Sequence, residues 1–292
     1  MIFVHLIFFK MKITLVYKGR SHDLEINDNS RAEIIFEEAR KISHLNPNRI
    51  RIVYEKDGKR IPIQPIQILS QLSSNTFIIR DLGPQFSYRG VFFIEYLGPF
   101  IIWPLMKFVT HPDANHYTTI TSMMWTFHYF KRLAETKFVH IFSHATMPLF
   151  NLFKNCTYYW GFAALIAYTI QSNSKRITEI SSYQNYAVTL FFIMEALNFY
   201  CHLKLRLLRP QGTTAHVLPR GFLFDSITCP NYTTEILAWC CFAFYARVWP
   251  AVLFPICGAA QMFVWADQKR KKLIQEYPEA RRRGRITPFR AL

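Results

Sequence analysis

Phe127-His128-Tyr129-Phe130-Lys131-Arg132 closes an apolar run over 118–133, and Cys229-Pro230-Asn231-Tyr232-Thr233-Thr234-Glu235 opens another over 236–248. Both strings set ionisable groups against stretches whose remaining residues are Phe, Leu, Ile, Trp and Tyr. A charge or phenol at membrane depth is costly and marks a reaction or transport site more often than packing. The two strings therefore predict a membrane-embedded protein with chemistry inside the apolar layer.

The rest of the chain agrees. Further apolar runs cover 91–109, 157–170, 186–203 and 251–266, which with the first two makes about six spans. Several fall short of the ~20 residues that a straight span needs. A seventh apolar piece, 138–153, is broken by His140, His144 and Pro148 and reads as re-entrant or interfacial. Of 292 residues, 51% are hydrophobic, yet the formal net charge is +16. The two facts reconcile if apolar spans alternate with basic membrane-facing loops. The closing clusters Lys269-Arg270-Lys271-Lys272 and Arg281-Arg282-Arg283-Gly284-Arg285 then place the C-terminus in the cytosol, and an even number of spans places the N-terminus there too. Such a tail reads as a topogenic, lipid-facing anchor and not as a nucleic-acid surface.

Six cysteines, Cys156, Cys201, Cys229, Cys240, Cys241 and Cys257, follow residue 150 without a C-x-x-C pair or a His-rich partner tract. They read as reduced packing residues, and no metal site is expected. The first ten residues are apolar but lack a basic n-region and a small-residue cleavage site, so a cleaved signal peptide is not expected, and Met11 is an alternative start.

Residues 11–82 have a different texture. Lys12-Ile13-Thr14-Leu15-Val16-Tyr17 alternates at strand period, 22–26 pairs with it, and Arg49-Ile50-Arg51-Ile52-Val53-Tyr54 alternates again. Between them, Ser30 and Glu33 have capping-box spacing, and Ala32, Ile35, Phe36 and Ala39 form a helical stripe. Gly58 supplies a turn, and Thr76-Phe77-Ile78-Ile79-Arg80 is a last strand. This ββαββ order predicts a small α+β β-grasp domain over 11–82, ahead of an α-helical polytopic membrane domain over 91–292.

Several strings taken together carry a resemblance. Arg89-Gly90-Val91-Phe92-Phe93-Ile94-Glu95-Tyr96-Leu97-Gly98-Pro99, His128-Tyr129-Phe130-Lys131-Arg132-Leu133-Ala134-Glu135-Thr136, Phe138-Val139-His140-Ile141-Phe142-Ser143-His144, Asn155-Cys156-Thr157-Tyr158-Tyr159-Trp160-Gly161-Phe162, Leu208-Arg209-Pro210 and Cys229-Pro230-Asn231-Tyr232-Thr233-Thr234-Glu235 occur in one order. From Met11 onward the chain resembles the very-long-chain trans-2-enoyl-CoA reductases of the endoplasmic reticulum, members of the steroid 5α-reductase family that carry a ubiquitin-like N-terminal domain. The resemblance implies NADPH-dependent reduction of the 2,3 double bond of a very-long-chain enoyl-CoA, the final step of the fatty-acid elongation cycle. It also implies residence in the bilayer beside the condensing enzyme, ketoacyl reductase and dehydratase of that cycle.

Hydride addition at the β-carbon pushes negative charge onto the thioester oxygen, so the site needs a hydrogen-bond donor there and an acid for the α-carbon. The resemblance makes Tyr232 the first candidate acid, with Lys131 as a neighbouring cation. It also makes Glu95 and Tyr129 a second candidate pair, matching the Glu and Tyr that polarise the carbonyl in ketosteroid reductases; the two tyrosines stay unassigned between donor and acid. For the cofactor it carries over Arg132, Asn198, His202, Arg209, Asn231 and Glu235. No Gly-x-Gly-x-x-Gly string occurs, so NADPH is expected among the spans and not in a Rossmann domain. Trp265-Ala266-Asp267-Gln268-Lys269-Arg270 departs from the family's pattern, and no cofactor contact is assigned there. Two rival readings remain: a sterol or polyprenol reductase of the same family, and a non-catalytic ubiquitin-like membrane scaffold.

Overall fold

The computed structural model describes residues 10–175, 177, 179–209 and 217–287. They divide into two compact units, the first holding 10–87 with Ala145–Leu149, the second Tyr88–His144 with 150–287.

In the first unit β1 (Lys10–Tyr17) pairs antiparallel with β2 (Arg20–Asn27) over its full length. After α1 (Glu33–Ser43) come β3 (Ile50–Lys56), β4 (Lys59–Pro62) and β5 (Thr76–Asp81), giving the sheet order β2-β1-β5-β3-β4 with β1 and β5 parallel at the centre. Alternation buries Ile13, Leu15, Ile52, Phe77 and Ile79 on one face, where they meet Ile35 and Ala39 of α1. Full burial of each large apolar chain contributes about 1.5–3 kcal/mol. The turn between β3 and β4 uses positive φ at Asp57 (51°) and Gly58 (69°), as a two-residue hairpin requires. Two details differ from expectation. β4 is an additional strand, only four residues long, two of them charged. The capping box at Ser30 does not form: α1 begins after Ala32 with no side-chain cap, because the amides of Ala32 and Glu33 are already bonded to the carbonyls of Gln67 (2.7 Å) and Pro65 (2.9 Å). A small ribbon of β6 (Gln85–Ser87) and β7 (Thr146–Pro148) completes this unit.

The second unit is helical. All six apolar runs lie on helices: α2 (Tyr88–Thr110), α3 (His116–Ala134), α4 (Phe150–Ser172), α5 (Ser182–Leu207), α6 (Pro230–Ala246) and α7 (Trp249–Glu276). Among the described residues, three of them, α2, α5 and α7, are long and apolar enough to cross a membrane. The others fall short for visible reasons. α6 has only 17 residues, while α3 and α4 carry polar residues such as His128, Lys131, Arg132, Lys154 and Asn155. Pro230 and Pro250 stand in the first turns of α6 and α7, where the missing N–H costs nothing. α2 packs so closely on α4 that a Cβ at Gly98 would lie 1.8 Å from Trp160 Nε1. The core is an aromatic layer in which Trp103 and Trp125 stack at 4.7 Å and Trp239, Phe242 and Phe254 close around them. Leu105, Phe108, Phe130, Phe153, Leu207, Trp249 and Ile256 are exposed, an apolar exterior that suits contact with lipid.

Candidate active site

Helical periodicity builds the site. On α3, His128, Lys131 and Arg132 recur at i, i+3 and i+4, and the chain continues through a π-helical turn, Glu135–Val139, whose Glu135 adds i+7. On α5 the same face carries Glu195, Asn198 and His202, and the first turns of α6 carry Asn231, Thr234 and Glu235. These faces converge beside the aromatic layer, with Glu95, His128, Lys131, Arg132, Glu135, Glu195, Asn198, His202 and Thr234 all buried.

The buried charges of α3, the π-helical turn and α5 are paired, as burial demands. Lys131 Nζ lies 2.6 Å from Glu195 Oε2 and donates to Asn198 Oδ1 at 2.6 Å. Glu195 Oε1 lies 2.7 Å from His128 Nδ1, and His128 Nε2 is 3.4 Å from Glu235. Arg132 donates to Glu135 Oε2 at 2.7 Å and to the Tyr96 hydroxyl at 2.9 Å. Asn198 Nδ2 donates to the Asn231 carbonyl at 2.8 Å, tying α5 to α6. His202 has Nδ1 3.1 Å from Glu135 and Nε2 3.5 Å from Asn231 Nδ2. Burial opposes ionisation of Glu135, but Arg132, His202 and Lys131 outweigh it and hold the carboxyl well below the usual range. For His140, burial together with the Arg132 charge pushes the imidazole down to about 3.

Glu135, His140 and His202 bring one ligand atom each within 4.8 Å of one another, the only such triad among the described residues. Arg132 Nη1, 2.7 Å from Glu135 and 3.3 Å from His202 Nδ1, already supplies the positive charge at this point.

The candidate residues from the sequence divide into three groups. Lys131, Arg132, Asn198, His202, Asn231 and Glu235 form the single network just described. Glu95 and Tyr129 flank it: Glu95 accepts from Asn155 Nδ2 at 2.7 Å, and the fully buried Tyr129 hydroxyl has no hydrogen-bond partner among the described residues. The third group lies further out. Tyr232, half-buried, accepts from Lys269 Nζ at 2.8 Å, whereas Lys131 is engaged by Glu195 and Asn198. Arg209, at the exposed end of α5, donates to the Ile141 carbonyl and to Ser143 Oγ at 2.9 Å; the Pro210 that follows it lies outside the described residues. Sequence reasoning missed Glu195, Glu135, Tyr96 and Lys269. The signal for the two glutamates was their spacing, Glu195 three before Asn198 and Glu135 three after Arg132.

Comparison with known proteins settles the family. A Dictyostelium discoideum protein named very-long-chain enoyl-CoA reductase is 41% identical over 259 residues, which is 82% of this chain and 86% of the relative. The chain belongs to the very-long-chain enoyl-CoA reductase family. A Caenorhabditis elegans protein named as a probable reductase of the same kind is 37% identical over 272 residues, 86% of this chain and 88% of its own. The Homo sapiens protein named trans-2,3-enoyl-CoA reductase-like is 31% identical over 268 residues, 83% of this chain and 72% of its own. The family described as 3-oxo-5-alpha-steroid 4-dehydrogenase matches residues 145–289, which take in four helices of this reductase, α4 to α7.

Proposed function

We propose that this reductase reduces the 2,3 double bond of very-long-chain trans-2-enoyl-CoA with NADPH, the last step of fatty-acid elongation. The observation that carries the reading is the buried network of cations, carboxylates and amides on α3, α5 and α6, walled by aromatic rings. A non-catalytic scaffold has no use for so costly an arrangement. The relatives' names supply the substrate class.

The donor set suits a dinucleotide. Arg209, with Arg206 beside it bonded to the Phe138 carbonyl, offers guanidinium forks for phosphate at an exposed helix end. Asn198, His202, Asn231 and Glu235, deeper between the helices, offer the amide, imidazole and carboxylate that a nicotinamide and ribose require. Arg132, held by Glu135 and Tyr96, adds a fixed positive charge between them. When bound, NADPH supplies the hydride.

The residues of the chain do the rest. Tyr129 holds an unpartnered hydroxyl in a water-free aromatic layer, a pre-set donor for the thioester oxygen as charge builds there. Glu95, fixed by Asn155, shapes the same wall. Tyr232 delivers the proton to the α-carbon. Lys131, locked by Glu195 and Asn198, sets the field in which that charge develops. The protein works in the endoplasmic reticulum membrane through six spans, its ends and its ubiquitin-like β-grasp domain over 11–82 in the cytosol, beside the other elongation enzymes. The test is anaerobic NADPH oxidation by the purified chain. A C18 or longer trans-2-enoyl-CoA should be reduced and an enone steroid should not; the reverse preference would give the site to a sterol.

A further inference from the structure

We propose that Lys269 is the positioning residue for the Tyr232 hydroxyl, turning its proton towards the substrate by occupying an acceptor site on Oη. The proposal rests on Tyr232 as the acid, the reading given above. Lys269 Nζ donates to Tyr232 Oη at 2.8 Å and stands 4.7 Å from the ring centroid. A phenol has one proton and accepts through its oxygen, whereas an ammonium has only donors. With Lys269 donating, the phenolic proton must point elsewhere. The same ammonium meets the negative charge that grows on Oη as the proton departs, a fixed donor aimed where charge develops.

An exposed cation gains little from one contact, and Lys269 is exposed. Its backbone, however, is tied to that of Tyr232 by one returning segment. Arg270 donates to the carbonyls of Arg283 at 2.7 Å and Arg281 at 3.0 Å, and Asp267 accepts from Arg285 at 2.7 Å. The next residues bind the start of α6. The amides of Thr228 and Cys229 donate to the carbonyls of Gly284 (2.9 Å) and Arg285 (3.1 Å), and Thr233 Oγ1 donates to the Ile286 carbonyl. Residues 281–286 thus clamp the turn of α7 that carries Lys269 to the turn of α6 that carries Tyr232. Trp265, one turn before Lys269, faces the Tyr232 ring at 6.5 Å between centroids. The backbone cost of bringing the two turns together is met by folding, so the contact orders only the Lys269 side chain. Lys131 is not free for this task, being held by Glu195 and Asn198.

The experiment uses the full chain in detergent with Lys269→Met, Lys269→Arg, Tyr232→Phe and the double variant Tyr232→Phe/Lys269→Met. Single-turnover NADPH oxidation is followed at saturating long-chain trans-2-enoyl-CoA, in H2O and D2O, and NADPH affinity is measured by fluorescence titration. Lys269→Met should slow the chemical step about 10- to 100-fold, the size of a lost charged hydrogen bond. It should also raise the solvent isotope effect and leave NADPH affinity unchanged. Lys269→Arg should restore most of the rate, and Lys269→Met should add no slowing in the Tyr232→Phe background. If Lys269→Met does not fold, Lys269→Gln, which keeps a neutral donor, takes its place. Three results overturn the proposal: parent rate in Lys269→Met while Tyr232→Phe is slow, weakened NADPH binding with a normal saturated rate, or slowing that multiplies in the double variant. Parent rate in Tyr232→Phe alone would instead remove the acid reading beneath it, a result visible without any Lys269 variant.

Discussion

Lys131 and Glu195 face each other at 2.6 Å with 9% and 1% of their side chains exposed. Their attraction serves mainly to offset the cost of taking both out of water, so removing either leaves the other as an uncompensated buried charge. Glu195→Ala removes the nearest counter-charge of Lys131, leaving it only Glu135 at 3.8 Å, and should destabilise the folded chain by up to about 3–5 kcal/mol in detergent unfolding; a loss under about 1 kcal/mol would mean the pair is solvated. His140 gives a pH signature. Its imidazole falls from 6.5 to about 3 in the folded state, so below 6.5 the unfolded chain takes up a proton that the folded chain refuses. Stability is present above 6.5 and is lost as pH falls towards 3. Glu135, also held low, adds to the loss only below the ordinary carboxylate range. Thermal midpoints between pH 6.5 and 5 should therefore decline less in His140→Asn than in the parent; equal slopes would show that His140 is solvated. At the outer edge of the site, Arg209→Ala should weaken NADPH binding by about 1.5–3 kcal/mol through loss of a charge-assisted fork, and unchanged affinity by fluorescence titration would remove Arg209 from the cofactor site.

Among the elements, α2 and α4 depend on a missing side chain. A methyl at Gly98 would meet Trp160 Nε1 at 1.8 Å, and that nitrogen also donates to the Ile94 carbonyl at 3.3 Å. Gly98→Ala must push the indole out and should cost about 1–3 kcal/mol by overpacking, read as a lower unfolding midpoint; an unchanged midpoint would show that the two helices can separate freely. The helices themselves were legible because long apolar runs leave few other choices, and all six runs became helices. The network on them was half legible. Lys131, Arg132, Asn198 and His202 stand out in apolar surroundings, but their counter-charges do not announce themselves. Glu195 becomes meaningful only when α5 is laid against α3, and Glu135 only because a π-helical turn carries the chain past the end of α3. Lys269 sat in a basic cluster that reads as a topogenic, lipid-facing anchor, and its link to Tyr232 depends on the return of residues 281–286, which no periodicity encodes. In the sheet, β4 was invisible because Lys59-Arg60-Ile61-Pro62 is held by its pairing with β3, not by its own pattern.

At the scale of the molecule, a net charge of +16 and an aromatic interior meet in one chain because the charge divides between solvated surfaces and a compensated buried network. The unit built around α1 has its own apolar core, in which Ile13, Leu15, Ile35, Ile52 and Phe77 are fully buried. A fragment spanning 11–82 should therefore fold in water and give dispersed amide resonances, and a collapsed spectrum would show that it leans on the rest of the chain. The proposed site lies in the helical unit, and isotope transfer addresses its chemistry most directly. The purified chain is given NADPH deuterated at the transferring position of C4 and a long-chain trans-2-enoyl-CoA, first in H2O and then unlabelled NADPH in D2O, and the acyl-CoA product is analysed by mass spectrometry with fragmentation. One deuterium from the cofactor should appear on the β-carbon and one from solvent on the α-carbon, with product formation slowed about 10²–10⁴-fold in Tyr232→Phe. Saturated product without cofactor deuterium on the β-carbon, or no saturated product at all, would contradict the proposed reduction.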